Sequence, residues 1–213
     1  MSEPTRLELL HADYAQLELR SRATLTADQA RSLIFYNAQR ASEGAAAATN
    51  PGRDVIAWIR NTEALSTFVA RESRMPRENR RLPNSAISAD EKSLVNRVRN
   101  QRRAFTAGRL CTYQVRRLQC IPGFSFKPLD DAWHTSYTAY VQFTRTHRDA
   151  PKLRSADPAE RALAGWAAKN RMAYHDGRLT PARTALLNDV EFWSWGAPTS
   201  RRVTKTRREL DHQ

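Results

Sequence analysis

The chain contains one stretch of its own sequence twice, and this repeat limits the fold more than any other feature. Residues 101–114 are QRRAFTAGRLCTYQ and residues 170–183 are NRMAYHDGRLTPAR, an offset of 69. In both stretches an arginine, an aromatic residue and Gly-Arg-Leu stand at the same spacing. A sequence that recurs at a fixed offset indicates two copies of one structural unit. We therefore expect a duplicated domain.

The similarity extends on both sides of this stretch. Positions match at an offset of 75 before it, and at an offset of 69 within and after it. The matching pairs are Trp58 and Trp133, Leu65 and Tyr140, Phe68 and Phe143, Pro76 and Pro151, Leu94 and Leu163, Arg102 and Arg171, Phe105 and Tyr174, Gly108 and Gly177, Arg109 and Arg178, Leu110 and Leu179, Leu118 and Leu187, Ile121 and Val190, Phe124 and Trp193, and Phe126 and Trp195. The change of offset gives the first copy a basic loop, RENRRLPNSAIS, that is six residues longer.

Each copy has the sequence pattern of three helices. Alternating β-branched runs are absent, and apolar residues recur at helical spacing. The predicted fold is all-α: two tandem three-helix bundle domains preceded by a helical N-terminal segment. We place the N-terminal segment and its linker at 1–52, repeat 1 at 53–128, repeat 2 at 129–196 and a basic C-terminal tail at 197–213.

Residues that favour helix ends stand where the helices are predicted to begin and stop. The expected N-terminal caps are Thr26, Ser88, Thr112, Asp157 and Thr180. Glu91 and Glu160 follow two of these caps by three residues, a spacing typical of capping boxes. Gly108 and Gly177 are expected to end the second helices in a left-handed conformation. The repeated glycine therefore has a structural role.

Positive charge is concentrated in repeat 1. The whole chain has a formal net charge of +13. Residues 53–128 hold 16 basic and 6 acidic residues, a net of +10, whereas residues 129–196 hold 9 and 8. An excess of this size predicts attraction to a polyanion such as DNA, RNA or an anionic membrane surface. Repeat 1 is expected to make most of the contacts.

The repeated motif resembles that of a known family. It runs W-(x)6-[LY]-x-x-F, then P, then L-x-x-[WR]-(x)4-R-x-x-[FY]-x-x-G-R-L, and ends with F-x-[FW] after a short helix. This pattern resembles the helicase-associated domain, in two tandem copies over about two thirds of the chain. The resemblance implies small three-helix domains that bind nucleic acid and often occur in arrays. Repeat 2 keeps the family's tryptophan of helix two as Trp166, but repeat 1 has Arg97 there.

Motifs for catalysis, metal binding or membrane insertion are missing from the sequence. It contains no G-x-x-x-x-G-K-[ST] motif, so a helicase motor would be another chain. The five histidines are scattered, and the two cysteines, Cys111 and Cys120, lack the spacing of a zinc site. No apolar run is long enough to span a membrane, and the N-terminus does not have the pattern of a signal peptide. We predict a non-enzymatic protein without a cofactor or metal.

An analogy to helix-turn-helix proteins, whose last helix contacts base edges with its N-terminal residues, suggests which residues would bind DNA. The candidates for base contact are Tyr113, Gln114, Arg116 and Arg117 in repeat 1 and Thr180, Arg183 and Asn188 in repeat 2. The candidates for phosphate contact are Arg77, Arg80, Arg81, Arg97, Arg99, Arg102, Arg103, Arg109, Lys169, Arg171, Arg178, Arg201 and Arg202. Arg102 and Arg171 share one repeat position, which fits either a phosphate contact or a buried or capping role.

The sequence predicts a protein of the cytoplasm, nucleoid-associated or in an equivalent intracellular place, that binds double-stranded DNA mainly through repeat 1. Two alternatives stay open. One is binding of RNA or single strands by aromatic stacking, which the placement of the aromatic residues at expected core positions disfavours. The other is an adaptor whose basic face docks an acidic protein partner, such as a helicase or a replication or regulatory complex. Residues 1–52 are candidates for homodimer or partner contacts.

Overall fold

The computed structural model describes residues 3–44, 51–77 and 87–196, and within these ranges it is all helical, as predicted. The eight α-helices are α1 (Arg6–Glu18), α2 (Ala27–Ser42), α3 (Arg53–Glu72), α4 (Ala89–Thr106), α5 (Thr112–Gln119), α6 (Pro128–His147), α7 (Pro158–His175) and α8 (Pro181–Asn188). A 3-10 turn, Arg22–Thr24, joins α1 to α2. Each predicted repeat therefore contains three helices.

The chain forms two compact units. Unit 1 is Met1–Pro128 and unit 2 is Leu129–Gln213. The N-terminal helices α1 and α2 belong to unit 1, where they pack with α3 and α5 around one core. The main buried side chains of that core are Leu10, Tyr14, Phe35, Tyr36, Trp58, Ile59, Leu65, Phe68, Tyr113 and Leu118. Unit 1 is thus a five-helix unit, in which α3, α4 and α5 form the repeat and α1 and α2 extend it.

The core of unit 2 is built from aromatic residues of its three helices and the segment after α8. Tyr140 of α6 is fully buried. Its ring centroid lies 5.6 Å from that of Trp166 on α7 and 5.3 Å from that of Trp193 beyond α8. Leu187 of α8 is also fully buried. Large flat side chains bury much apolar area per residue, which lets a unit with three helices form a core.

The helix ends confirm several capping predictions. Thr26 begins α2 with a complete capping box, and the Ser88 hydroxyl accepts a hydrogen bond from the Glu91 N–H at 3.1 Å. Asp157 and Thr180 cap α7 and α8. The backbone of Gly108 and of Gly177 is left-handed, with φ of 63° and 67°. At both glycines, a residue with a side chain would be strained.

Three capping predictions are wrong. The residue that caps α5 is Cys111, whose N–H donates to the Gln114 side chain at 3.2 Å, and Thr112 is the first helical residue. Glu160 does not close a capping box with Asp157. Its carboxylate instead accepts hydrogen bonds from the Lys152 N–H and the Ser155 hydroxyl in the loop before α7. Glu91 likewise does not close a capping box with Ser88. Its carboxylate accepts a hydrogen bond from the Arg77 N–H at 3.1 Å, so this contact is part of the repeat.

The two units repeat each other's internal contacts, which goes beyond the repeat of the sequence. The Trp58 indole donates to the Gln101 side chain at 3.1 Å, and the Trp133 indole donates to the Asn170 side chain at 2.7 Å. The two tryptophans are 75 positions apart and their acceptors are 69 positions apart, which are the offsets of the sequence repeat. Both bonds tie the first helix of a repeat to its second helix.

The end of each repeat folds back on the second helix through an aromatic stack. The Phe105 and Phe126 rings are stacked at 4.1 Å in unit 1, and the Tyr174 and Trp195 rings are stacked at 4.0 Å in unit 2. The turn that follows the first helix is also shared, because Ser73 and Arg148 both have φ of 52°. The two units therefore share this arrangement of the end of the repeat and of the turn after its first helix.

Candidate nucleic-acid interface

The predicted base-contacting helix of repeat 1, α5, packs against α1 and α2. Tyr113 has no exposed surface. Its N–H donates to the Ser32 hydroxyl at 3.1 Å, and its ring meets that of Tyr14 edge to face at 4.9 Å. The prediction that Tyr113 faces DNA is wrong, because the N-terminal helices cover the side of α5 on which it lies.

Gln114 and Arg117 are buried as well, so the prediction of base contacts is also wrong for them. The Gln114 side chain is bonded to the N–H of Cys111, in the cap of its own helix. Arg117 is 4% exposed, and its guanidinium lies 3.4 Å from the side-chain oxygens of Gln39 on α2 and Ser66 on α3. Arg117 therefore links three helices inside unit 1.

Arg116 is the one predicted base-contacting residue of α5 that stays exposed, and it has an intramolecular partner. Its guanidinium forms an ion pair with Asp13 of α1 at 2.5 Å. At the start of α5, the Asp28 carboxylate of α2 accepts a hydrogen bond from the Thr112 N–H at 3.1 Å. Carboxylates of the N-terminal helices thus occupy the positions around α5 where a phosphate would bind.

Arg102 and Arg171 have the structural role that the sequence left open. The Arg102 Nε donates to the Ser125 carbonyl at 2.8 Å, and the Arg171 Nε donates to the Ser194 carbonyl at 2.6 Å. Both bonds hold the end of a repeat against its second helix. Burial lowers the pKa of the Arg102 guanidinium. Their position is thus explained by packing, and the prediction of a phosphate contact has no support at either residue.

Arg97 lies half-buried between α3 and α4, where its guanidinium donates to the Asn61 side chain. The same repeat position in unit 2 holds Trp166, whose ring contacts that of Trp133 at 5.6 Å. An arginine replaces a core tryptophan here, so unit 1 loses aromatic packing and gains a charge at its surface. Arg77, the first residue of the long loop, has an exposed side chain.

The remaining predicted residues of repeat 1 lie on or just after α4, away from its core-facing side. Arg103 and Arg109 are exposed, and Arg99 is half-exposed. Arg109 and Arg178 occupy the same repeat position, but Arg178 is paired with Asp176 at 2.6 Å. Unit 1 has Ala107 at the position of Asp176. The arginine of the Gly-Arg-Leu turn is therefore neutralised in unit 2 but lacks this carboxylate in unit 1.

The predicted residues of unit 2 are largely engaged within the unit. Arg183 forms an ion pair with Asp130 at 2.6 Å and lies over the Trp133 ring at 4.8 Å. The Thr180 side chain is used by the cap of α8. Lys169 is exposed on α7. The structure thus brings together no free basic cluster of predicted residues on the described part of unit 2.

Four predicted phosphate contacts, Arg80, Arg81, Arg201 and Arg202, lie outside the described residues. Within the described ranges, no group of three His, Cys, Asp or Glu side chains is arranged to hold a metal ion. None of the helices in those ranges is both long and apolar enough to cross a membrane.

The comparisons with known proteins give a result for unit 2. No curated protein and no solved structure matches the chain. A family model does match part of it, from residue 130 to residue 195, which covers nearly all of α6 and the whole of α7 and α8. Residues 130–195 are thus similar to the helicase associated domain, and the match includes one copy.

Proposed function

We propose that this protein binds double-stranded DNA without catalysing a reaction on it, through two helicase-associated domains of which the first makes most of the contacts. The family match to residues 130–195 supports the identity of the second domain. The proposal further assigns residues 53–128 to the same family, as the first of the two domains.

The contacts that the two units share support a helicase-associated domain in unit 1. The indole bond from the first helix to the second, the aromatic stack at the end and the arginine bond to a carbonyl all recur at the sequence offsets. Such contacts define how three helices pack. A common ancestor with the matched domain explains why they coincide, whereas two unrelated bundles would not be expected to share them.

The observation that carries the proposal of DNA binding is the difference in neutralisation between the two repeats. At the same turn, Arg178 has a carboxylate partner at 2.6 Å and Arg109 has Ala107 in place of that carboxylate. Repeat 1 as a whole has a net charge of +10. Surface arginines without a carboxylate partner repel one another in the isolated protein. A bound polyanion reduces this repulsion, which favours binding.

The test is the salt dependence of binding to a labelled duplex, followed by fluorescence anisotropy. If about six phosphates are neutralised, the affinity is expected to fall on the order of 10³-fold between about 50 and 200 mM salt. Polyglutamate serves as a competitor of equal charge without the phosphate geometry. Displacement of the duplex by an equal charge concentration of polyglutamate would favour an adaptor for acidic proteins and contradict the proposal.

Single-strand binding has one observation in its favour. The Tyr174 side chain, expected in the core, is 40% exposed although it stacks on Trp195. An exposed aromatic edge of this kind can receive an unpaired base. The single strand of the same labelled oligonucleotide and an RNA copy therefore belong in the anisotropy experiment. Tighter binding of either than of the duplex would favour this second candidate.

A further inference from the structure

The loop between α6 and α7 in unit 2 presents a leucine and an arginine at the corner of a tight turn. The Ser155 N–H donates to the Lys152 carbonyl at 3.2 Å, which closes a four-residue turn with Leu153 and Arg154 at its central positions. Leu153 is 62% exposed, and Arg154 is exposed. Among the described residues, Arg154 has no hydrogen-bond or ion-pair partner. We call residues 152–155 the Leu153 turn.

The Leu153 turn is fixed at both of its ends by α7. The two carboxylate oxygens of Glu160 accept hydrogen bonds from the Lys152 N–H at 2.8 Å and from the Ser155 hydroxyl. The hydrogen bond from the Ser155 hydroxyl, followed by that from the Lys152 N–H, holds the pKa of Glu160 below its ordinary value. Arg161 donates to the Ser155 carbonyl at 2.8 Å. None of these bonds uses the side chain of Leu153 or Arg154, so both are free to contact a ligand.

We propose that the Leu153 turn enters the minor groove of duplex DNA and that Leu153 is inserted between two base pairs, which kinks the duplex. This inference rests on the proposed function, because it requires that the protein binds duplex DNA. It adds an activity to that function, since repeat 1 would make most of the contacts and unit 2 would deform the DNA.

The size of the turn fits the minor groove. This groove is about 6 Å wide, which is too narrow for an α-helix of about 10–12 Å in diameter. A turn that presents only two side chains at its corner is narrower than a helix. Leucine is also among the apolar side chains that proteins insert between base steps from this groove.

The chemistry of the two corner side chains fits this position as well. Between base pairs, the apolar side chain of Leu153 would be removed from water, which is favourable. The adjacent guanidinium of Arg154 would lie beside the phosphates that line the groove, where arginine is well suited to contact them. The ammonium of Lys152 is paired with Asp149 at 2.9 Å, so Arg154 is the cation of the turn that is available to a phosphate.

The charge of unit 2 fits a role in deforming DNA more than one in gripping it. Residues 129–196 hold 9 basic and 8 acidic residues. Phosphate contacts supply most of the affinity for unrelated sequences, and a unit with so little net charge contributes few of them. Insertion of one apolar side chain requires only that the protein is already held on the duplex, which repeat 1 would achieve.

A second exposed leucine of unit 2 lacks these features. Leu129 is 84% exposed, but it lies in α6, and a helix is too wide for the minor groove. Acidic rather than basic residues follow it, Asp130 and Asp131. Exposure alone therefore does not distinguish the two leucines, whereas the turn and its charge do. Leu129 provides the matched control.

The test measures the bending of a duplex of about 20 base pairs, about 68 Å long, with a donor dye at one end and an acceptor dye at the other. Its only TA step stands in the middle, because such steps are easily kinked. A saturating concentration of the full-length protein should kink the duplex by about 20–90°, which raises energy transfer between the dyes. Leu153→Ala should reduce this rise by about half or more, whereas Leu129→Ala should leave it unchanged.

A second readout follows base stacking directly. 2-Aminopurine in place of the adenine of the TA step becomes more fluorescent when the step is unstacked. The original protein and Leu153→Met should both raise this fluorescence, because methionine keeps an apolar side chain of similar volume. Leu153→Ala should not raise it. Since Leu153 is exposed, both variants should keep the circular dichroism of the original protein.

The contribution of Arg154 is measured separately. Arg154→Gln should lower the slope of the salt dependence of duplex binding by about 0.9, because one phosphate contact is lost. An unchanged slope would overturn the contact between Arg154 and a phosphate.

Equal energy transfer with Leu153→Ala and Leu129→Ala would overturn the insertion of Leu153. So would binding of the original protein to the duplex without a rise in energy transfer or in 2-aminopurine fluorescence, and in both cases the proposed function would stand. Failure of the original protein to bind the duplex would instead contradict the proposed function itself.

Discussion

At the scale of single residues, two basic side chains of α7 that lie two positions apart have different roles. Arg171 is bonded to the Ser194 carbonyl and its guanidinium lies 4.8 Å from the centre of the Trp193 ring. Two residues earlier, Lys169 is exposed. A guanidinium combines a flat apolar face with directed N–H groups, which a lysine ammonium does not. The arginine of the repeat motif is therefore suited to packing the end of the domain.

The Arg171→Lys substitution is expected to lower the free energy of unfolding of unit 2 by roughly 1 kcal/mol, since the charge remains but the ring contact and the Nε bond are lost. Urea unfolding followed by tryptophan fluorescence measures this, because four of the five tryptophans lie in unit 2. The control is Lys169→Ala, which should change stability by less than about 0.5 kcal/mol. Equal effects of the two substitutions would contradict the packing role.

At the scale of helices, the start of α5 is completed by another helix. The hydroxyl of Ser32 is fully buried and receives the N–H of Tyr113, and the Asp28 carboxylate receives that of Thr112. The first N–H groups of a helix have no partner within the helix. Groups of α2 that lie about 80 positions earlier in the chain supply the partners here. The first two N–H groups of α5 therefore have hydrogen-bond acceptors even though the start of this helix is covered by α2.

Ser32→Ala should therefore lower the free energy of unfolding of unit 1 by about 1–3 kcal/mol, because a buried N–H group is left without an acceptor. Thermal or urea unfolding followed by circular dichroism measures the change. Ser93→Ala on the exposed side of α4 is the matched control, and it should cost less than about 0.5 kcal/mol. A Ser32→Ala protein as stable as the control would show that the hydrogen bond from the Tyr113 N–H to Ser32 does not contribute to the free energy of unfolding.

The sequence predicts features that depend on neighbours along the chain, and it does not predict how distant helices pack. The three helices of each repeat, the cap at Thr180 and the left-handed turn at Gly177 follow from local chemistry, and the structure has them. The burial of Arg117 depends on Gln39 and Ser66, which are 78 and 51 residues away. The analogy to helix-turn-helix proteins considers only the three helices of a repeat, so it indicated an exposed α5. One signal in the sequence pointed to a difference between the two units: residues 1–52 match no part of repeat 2.

At the scale of the whole molecule, the N-terminal helices are part of the core of unit 1. Tyr14 and Tyr36 contact the ring of Tyr113, and Phe35 meets the Trp58 ring edge to face at 5.3 Å. Loss of one buried aromatic side chain from a core lowers the free energy of unfolding by several kcal/mol. Removal of α1 and α2 would expose the side of α5 that holds Tyr113. Unit 1 is therefore expected to need all five of its helices.

Deletion of residues 1–52 should therefore abolish the cooperative unfolding of unit 1 and increase hydrogen exchange throughout α5, because its buried aromatic partners and N-terminal acceptors are gone. The tryptophan fluorescence of unit 2 should keep its unfolding transition. Deletion of residues 1–4 is the control, since it leaves Thr5, whose hydroxyl accepts from the Glu8 N–H at the start of α1. Hydrogen exchange measured by mass spectrometry distinguishes the two proteins at α5. If the 1–52 deletion protects α5 as well as the control does, the repeat folds without α1 and α2, and the side of α5 that they cover becomes available to a ligand.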